Sequence, residues 1–267
     1  MKLRLGLVAR GAQTLSAWTT LEGWLLTHGL LFEFVLYLTE ERLIEDAVDG
    51  RIDLAFVLPL TWVRTRRRAE VLGRRVRPLV MRECDRDEAS LILVRADSAH
   101  RRLTDLRDQS VGVGQPGPPV AALVPELMLR KAGLVPGNTV DLRAGPAVGE
   151  QPVQSLLRGE LDAMALDRRH YGRWTVSGAI PPGTVRVLAR SGRYDAGHIM
   201  VTDVAPAHLV SRLATLLLAM PSSDHIQRVL GPADMAHWNE GRAGGYQVIE
   251  TAVDELGFCD RAGRLIA

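Results

Sequence analysis

Gly50-Arg51-Ile52-Asp53-Leu54-Ala55-Phe56-Val57 recurs far downstream as Gly159-Glu160-Leu161-Asp162-Ala163-Met164-Ala165-Leu166. Each copy follows an amphipathic stretch at helical spacing: Leu43, Ile44, Ala47 and Val48 before the first, Val153, Leu156 and Leu157 before the second. The glycine can take the left-handed conformation that ends a helix, and the aspartate suits the tight turn that follows. The short apolar run after it suits a parallel strand buried on both faces. Two helix–Gly–x–(Ile/Leu)–Asp–strand units predict two similar α/β lobes, with a small ligand bound in the cleft between them.

Around the first copy the pattern alternates between strand and helix. A strand is expected over 3–8, a helix over 15–27 and a strand over 32–38. Thr39 then serves as an N-cap, with Glu40 and Glu41 in the first helical turn. Pro59-Leu60-Thr61-Trp62 breaks the chain before another helix, and strands follow over 76–81 and 91–94. Around the second copy, a strand over 111–113 leads through a Gly/Pro-rich loop into a helix that runs to Leu129, followed by a strand over 140–142. Strands over 185–188 and 199–201 lead back to the first lobe, and helices are expected over 206–220, 223–230 and 246–256. This βαβ alternation implies doubly wound sheets. The expected division is a discontinuous first lobe, 1–94 plus 190–267, and a second lobe, 95–189. Crossing strands near Leu93 and Val187 are expected to act as the hinge.

At 267 residues there is room for two separate cores. A net charge of +2 makes no case for a nucleic-acid or membrane-surface partner. The run Arg64, Arg66, Arg67, Arg68, Arg74, Arg75 and Arg77 lacks interleaved aromatics and is expected to be a solvated helix face. No apolar run approaches the ~20 residues that span a bilayer, so no membrane insertion is expected. Met1-Lys2 leads straight into the first strand without a signal peptide. The expected location is therefore the cytoplasm, or outside it if a leader has been removed. Cys84 and Cys259 lie far apart without metal spacing and are expected to be free thiols. The histidines form no metal-spaced pair, and there is no Gly-x-Ser-x-Gly elbow. Gly112-x-Gly114-x-x-Gly117 matches a dinucleotide fingerprint only superficially, because Pro118 and Pro119 follow at once and the acidic partner is missing. No catalytic residue, metal or cofactor is expected.

The order of these features resembles the phosphonate/phosphite class of periplasmic substrate-binding proteins, components of ABC importers. The resemblance is carried by Leu5-Gly6-Leu7-Val8, by the first repeated phrase continued through Leu58-Pro59-Leu60-Thr61-Trp62-Val63, and by Leu93-Val94-Arg95-Ala96-Asp97-Ser98. It continues through Leu103-Thr104-Asp105-Leu106-Arg107 and Leu161-Asp162-Ala163, and reaches about Met220. It implies a two-lobed type II periplasmic-binding fold, each lobe a mostly parallel sheet flanked by helices, with a two-strand hinge. The implied role is capture of a small polar or anionic solute, for an ABC permease as partner or as a sensor. Fold alone does not decide function. The rival is a cytoplasmic enzyme on the same fold, like chorismate dehydratase or an aromatic-acid lyase.

The departures from that family bear on the ligand. The family's Gly-Ser-Thr-Ser-Gly loop holds an oxyanion at a helix N-terminus. Here the aligned residues are Gly117-Pro118-Pro119-Val120. The hydroxyls are gone and two prolines lack N–H donors, although they suit the first turn of a helix. The family's aromatic after the first strand is replaced by Ala9-Arg10, and its histidine-containing loop by Gly149-Glu150-Gln151. A phosphonate held in the family's usual way is therefore not expected.

The candidate ligand residues follow from these positions. Arg10 sits where open α/β sheets present ligand loops, and would either clasp a carboxylate or stand exposed. Thr61 and Trp62 would supply a hydroxyl and a stacking wall, unless Trp62 is core. Gly117, Pro118, Pro119 and Val120 would form an apolar wall. Asp167 ends the second repeated strand, where the resemblance implies contact with an amine or another donor; the alternative is a solvated loop carboxylate. Glu150 and Tyr194 are weaker candidates.

Overall fold

The computed structural model describes residues 2–9, 12–113, 120–144, 151–220 and 237–266. In chain order these form β1 (Leu3–Val8), α1 (Ala12–Thr27), β2 (Phe32–Tyr37), α2 (Glu40–Val48), β3 (Leu54–Val57), α3 (Pro59–Val71), β4 (Val76–Arg82) and β5 (Ser90–Arg95). There follow β6 (Ser110–Val113), α4 (Val120–Lys131), β7 (Asp141–Ala144), α5 (Gln151–Leu157), β8 (Ala163–Asp167), α6 (Arg168–Val176) and β9 (Val185–Arg190). The chain ends with β10 (His198–Thr202), α7 (Ala207–Leu218), β11 (Trp238–Glu240) and α8 (Gln247–Glu255). The helix expected over 223–230 lies outside the described residues.

Two compact units result. The first contains Met1–Arg86, Asp195–Tyr246 and Cys259–Ala267; the second contains Asp87–Tyr194 and Gln247–Phe258. The first sheet has the order β11-β4-β10-β3-β1-β2 and the second β7-β6-β8-β5-β9. In each, a central strand pairs in parallel with two others: β1 with β2 and β3, and β6 with β7 and β8. In each, an antiparallel strand then extends the sheet: β10 between β3 and β4, and β5 between β8 and β9. Both sheets are therefore mixed. In each one the antiparallel strand is the first formed after the chain has changed units.

The unit boundaries differ from those expected at 94/95 and 189/190. Leu93 and Val187 face each other inside the second sheet, because β5 and β9 complete it; the chain changes units at 86/87 and 194/195 instead. It does so again at 246/247 and 258/259, since α8 belongs to the second unit, where it packs on α4. The buried Ile249, Ala252 and Val253 of α8 recur at three- and four-residue spacing, the pattern of one apolar helix face.

The repeated phrase does the same structural job in both units. Gly50 and Gly159 end their helices at φ +73° and +75°, a conformation in which a side chain would be strained. The Asp53 carboxylate accepts the Arg4 N–H at 2.8 Å, while its own N–H donates to the Arg4 carbonyl at 3.1 Å. Asp162 repeats this with Ser110: its carboxylate accepts the Ser110 N–H at 2.9 Å, and its N–H donates to the Ser110 carbonyl at 3.1 Å. A Cβ added to Gly6 of β1 would lie 2.7 Å from Ile52, and one added to Gly112 of β6 would lie 2.7 Å from Leu161. In each copy the strand glycine thus makes room for the apolar residue before the aspartate.

Other local expectations resolve similarly. Thr39 caps α2 by accepting from the Arg42 N–H, and α2 buries Leu43, Ile44, Ala47 and Val48. The arginine run is not a single solvated face. Arg64 is buried, donating from Nε to the Gly263 carbonyl at 2.8 Å and pairing with Glu41. Arg68 also reaches Glu41, at 2.6 Å, and Arg74 forks onto Asp203. Arg64 and Arg68 find these partners because α3 is covered by α2 and by the C-terminal segment. Cys84 is half-buried and Cys259 buried. Among the described residues, no helix is long and apolar enough to cross a membrane.

Candidate functional site

Open α/β sheets meet their ligands beyond the carboxyl ends of the parallel strands. In the second unit the end of β8 runs directly into α6, with Asp167 both last in the strand and N-cap of the helix. An aspartate suits this position because its side chain can accept one of the helix's unpaired N–H groups. Asp167 accepts the His170 N–H at 2.8 Å, and its second oxygen lies 2.5 Å from His170 Nδ1. Burial raises the Asp167 carboxyl, but the hydrogen bonds and charge of His170 outweigh it, so the group titrates below its usual range.

Glu88 lies beside this pair and is only 2% exposed. It accepts the Ala89 N–H at 2.9 Å and the Arg169 N–H at 3.3 Å, with the Arg168 and Arg169 guanidiniums 3.7 and 3.5 Å away. Burial, then the negative charge of Asp167, raise its carboxyl despite these donors. Tyr194 is buried next to it and donates its N–H to the Glu88 carbonyl at 2.8 Å. Burial and the two carboxylates push the Tyr194 phenol well above its ordinary value, so it stays protonated. Trp174 packs edge-on against His170, with ring centroids 5.7 Å apart.

Of the candidates read from sequence, Asp167 and Tyr194 lie here, and Glu88, His170 and Arg169 surround them. His170 has a local signal, lying three residues after a helix N-cap. Glu88 has none, since it comes from a charged run remote in sequence.

In the first unit, β3 runs into α3 through Leu58, an N-cap without a side-chain hydrogen bond, and Pro59 opens the helix. Thr61 is buried in the first turn, and its carbonyl accepts the Thr65 hydroxyl at 2.6 Å. Trp62 is 1% exposed and packs on His198 and Tyr246, with centroids 4.7 and 5.9 Å away. His198 Nδ1 is hydrogen-bonded to the Tyr246 hydroxyl, and burial pushes the imidazole down to about 3. Arg242 forks onto the buried Asp195, and Arg82 onto Asp85, both charges that act on the Tyr246 phenol. Val120 is the first residue of α4. Arg10, Gly117, Pro118, Pro119 and Glu150 lie outside the described residues. Among the described residues, no group of three histidine, cysteine or acidic side chains is placed to hold a metal.

The family described as ABC transporter, phosphonate, periplasmic substrate-binding protein matches this chain over residues 12–246. None of the curated proteins compared with the chain matches it. Among solved structures, PhnD1 of Prochlorococcus marinus in complex with methylphosphonate superposes with a TM-score of 0.70 at 15% identity, covering 96% of this chain and 98% of that one. A Xanthomonas citri protein bound to ATP gives 0.69 at 16% identity, covering 96% of each chain. A binding protein component of a phosphonate ABC transporter from Pseudomonas aeruginosa gives 0.65 at 13% identity, covering 94% and 84%. At these identities the likeness establishes the two-lobed periplasmic-binding fold.

Proposed function

Because the chain belongs to the periplasmic substrate-binding proteins of phosphonate ABC transporters, we propose that it captures a small anionic solute for a permease, through a site unlike the family's phosphonate cradle. The match over residues 12–246 carries the reading. Gly117-Pro118-Pro119-Val120 ahead of α4 supports the difference, since two prolines cannot donate and no hydroxyl replaces them. The groups proposed to orient the ligand are Arg10, Glu150 and the Asp167–His170 pair at the end of β8, with the proline loop as an apolar wall; Thr61 and Trp62, buried in the first unit, back the site rather than touch the ligand.

The test is a thermal-shift screen of methylphosphonate, phosphite, alkanesulfonates and carboxylates, with titration calorimetry on each hit. A ligand at ~100 times its dissociation constant stabilises the fold by about 2.7 kcal/mol. One of these anions is expected to do so and to be recovered unchanged by mass spectrometry. Replacing Pro118 by Ser and Pro119 by Thr is expected to strengthen methylphosphonate binding by restoring donors. Absence of any shift across the anions would sink the reading, and a hit recovered chemically altered would make the protein an enzyme.

A further inference from the structure

Both carboxylate oxygens of Asp167 are engaged inside its own helix, one by the His170 N–H at 2.8 Å and the other by His170 Nδ1 at 2.5 Å. A carboxylate beside Nδ1 draws the ring's proton to that nitrogen and leaves Nε2 as the open position. The His170 side chain is 33% exposed, and among the described residues its ring has no other protein hydrogen bond beside the one it donates to Asp167. Trp174 steadies the ring from within α6. Among the described residues, the charged and titratable groups around the pair are Arg168 and Arg169 from α6, Glu88 from the segment before β5, and Tyr194 from the segment after β9. Glu88 is already met by backbone donors and guanidiniums, and Tyr194 is buried. Among the described residues, the groups left to meet a ligand at this end of β8 are therefore Nε2 of His170 and the guanidinium of Arg168, whose side chains are 33% and 48% exposed.

With Nδ1–H held by Asp167, Nε2 is an acceptor that repels an anionic oxygen whenever the ring is neutral. Once Nε2 takes a proton from solvent, it becomes a charge-assisted donor to that oxygen, and Asp167 balances the cation from behind. Resting on the reading that this chain captures an anion, we infer that His170 rather than Asp167 touches the ligand at the end of β8, and that binding an oxyanion there takes up a proton on Nε2. Asp167 then acts as a positioning residue, setting the ring's tautomer and orientation.

Titration calorimetry of the full chain with methanesulfonate and with methylphosphonate, in two buffers of different ionisation heat, tests this directly. Methanesulfonate does not itself titrate near neutrality, so proton uptake seen with it belongs to the protein. The expected result is proton uptake on binding that fades as the pH is lowered. Nitrogen-15 spectra of the wild-type ring should show the protonated form persisting to higher pH when the probe is bound. His170→Gln should weaken binding by roughly tenfold to a hundredfold, the range for a hydrogen bond to a charged group, and remove the proton uptake. A purely structural histidine would change the melting temperature and leave the proton count alone. Binding of equal strength in His170→Gln, with no uptake in the wild type, would overturn this assignment and leave the solute-capture reading standing. Failure of both probes to bind the wild type at any pH would overturn this assignment, and the solute-capture reading would fall with it only if phosphite and the carboxylates of the screen also gave no shift.

Discussion

Asp167 is the residue where local chemistry and site chemistry meet. As an N-cap tied twice to His170, it stabilises α6 as well as shaping the end of β8. Asp167→Ala is expected to cost about 1–2 kcal/mol in urea unfolding at neutral pH. Its carboxyl titrates lower in the folded chain than in the unfolded one. The stabilisation is therefore present above the unfolded value of about 3.9, and is lost as the pH falls through the folded value. The difference between wild type and Asp167→Ala should accordingly shrink when unfolding is repeated near pH 3. His198 adds a second acid-sensitive contribution. Buried and held neutral, it titrates at about 3, below the ordinary histidine value. Between the two values the unfolded chain binds the extra proton, so stability falls as the pH drops below about 6.5. Wild type should lose about 2–3 kcal/mol from this group between pH 7 and pH 4.5, and His198→Phe should lose correspondingly less over the same interval. An identical pH dependence in the two proteins would remove His198 as the cause.

At the scale of elements, the repeated phrase is a staple between the third and first strands of each parallel trio. Asp53 fastens β3 to β1 through Arg4, and Asp162 fastens β8 to β6 through Ser110. Removing either carboxylate leaves a backbone N–H without its acceptor, so Asp53→Ala and Asp162→Ala should each cost about 1–3 kcal/mol. The two sites lie in separate units and share no partner, so the double variant should show the sum to within about 0.5 kcal/mol. Marked non-additivity in chemical denaturation would mean that the two staples report on one cooperative structure rather than on two. The phrase is legible in the sequence because its parts are short-range, a helix end, a left-handed glycine, a turn aspartate and an apolar strand; the bonds that make it a staple join residues 49 and 52 positions apart and needed the tertiary structure. The strand that completes each sheet was not legible as antiparallel, since β5 and β10 carry the same apolar pattern whichever way they run.

For the whole molecule, α8 sets the division of the chain. It follows the first unit's last long segment in sequence, yet its apolar face is buried in the second unit against α4. Ile249→Ala should therefore cost about 2–4 kcal/mol. Amide exchange should accelerate in α4 and α8 more than in α1 and α7; equal acceleration in both units would contradict the division. Hydrophobic period, helix caps and the Gly–x–(Ile/Leu)–Asp phrase were enough to establish the element types, the duplicated architecture and the family likeness, because they act within a few residues. Assigning α8 to the second unit, burying Arg64 against Glu41 and Gly263, packing Trp62 on His198 and Tyr246, and placing Glu88 beside Asp167 needed the tertiary structure. Each joins groups distant in the chain, and such pairings are chosen by which apolar faces and charges find burial together, a competition that no local pattern records.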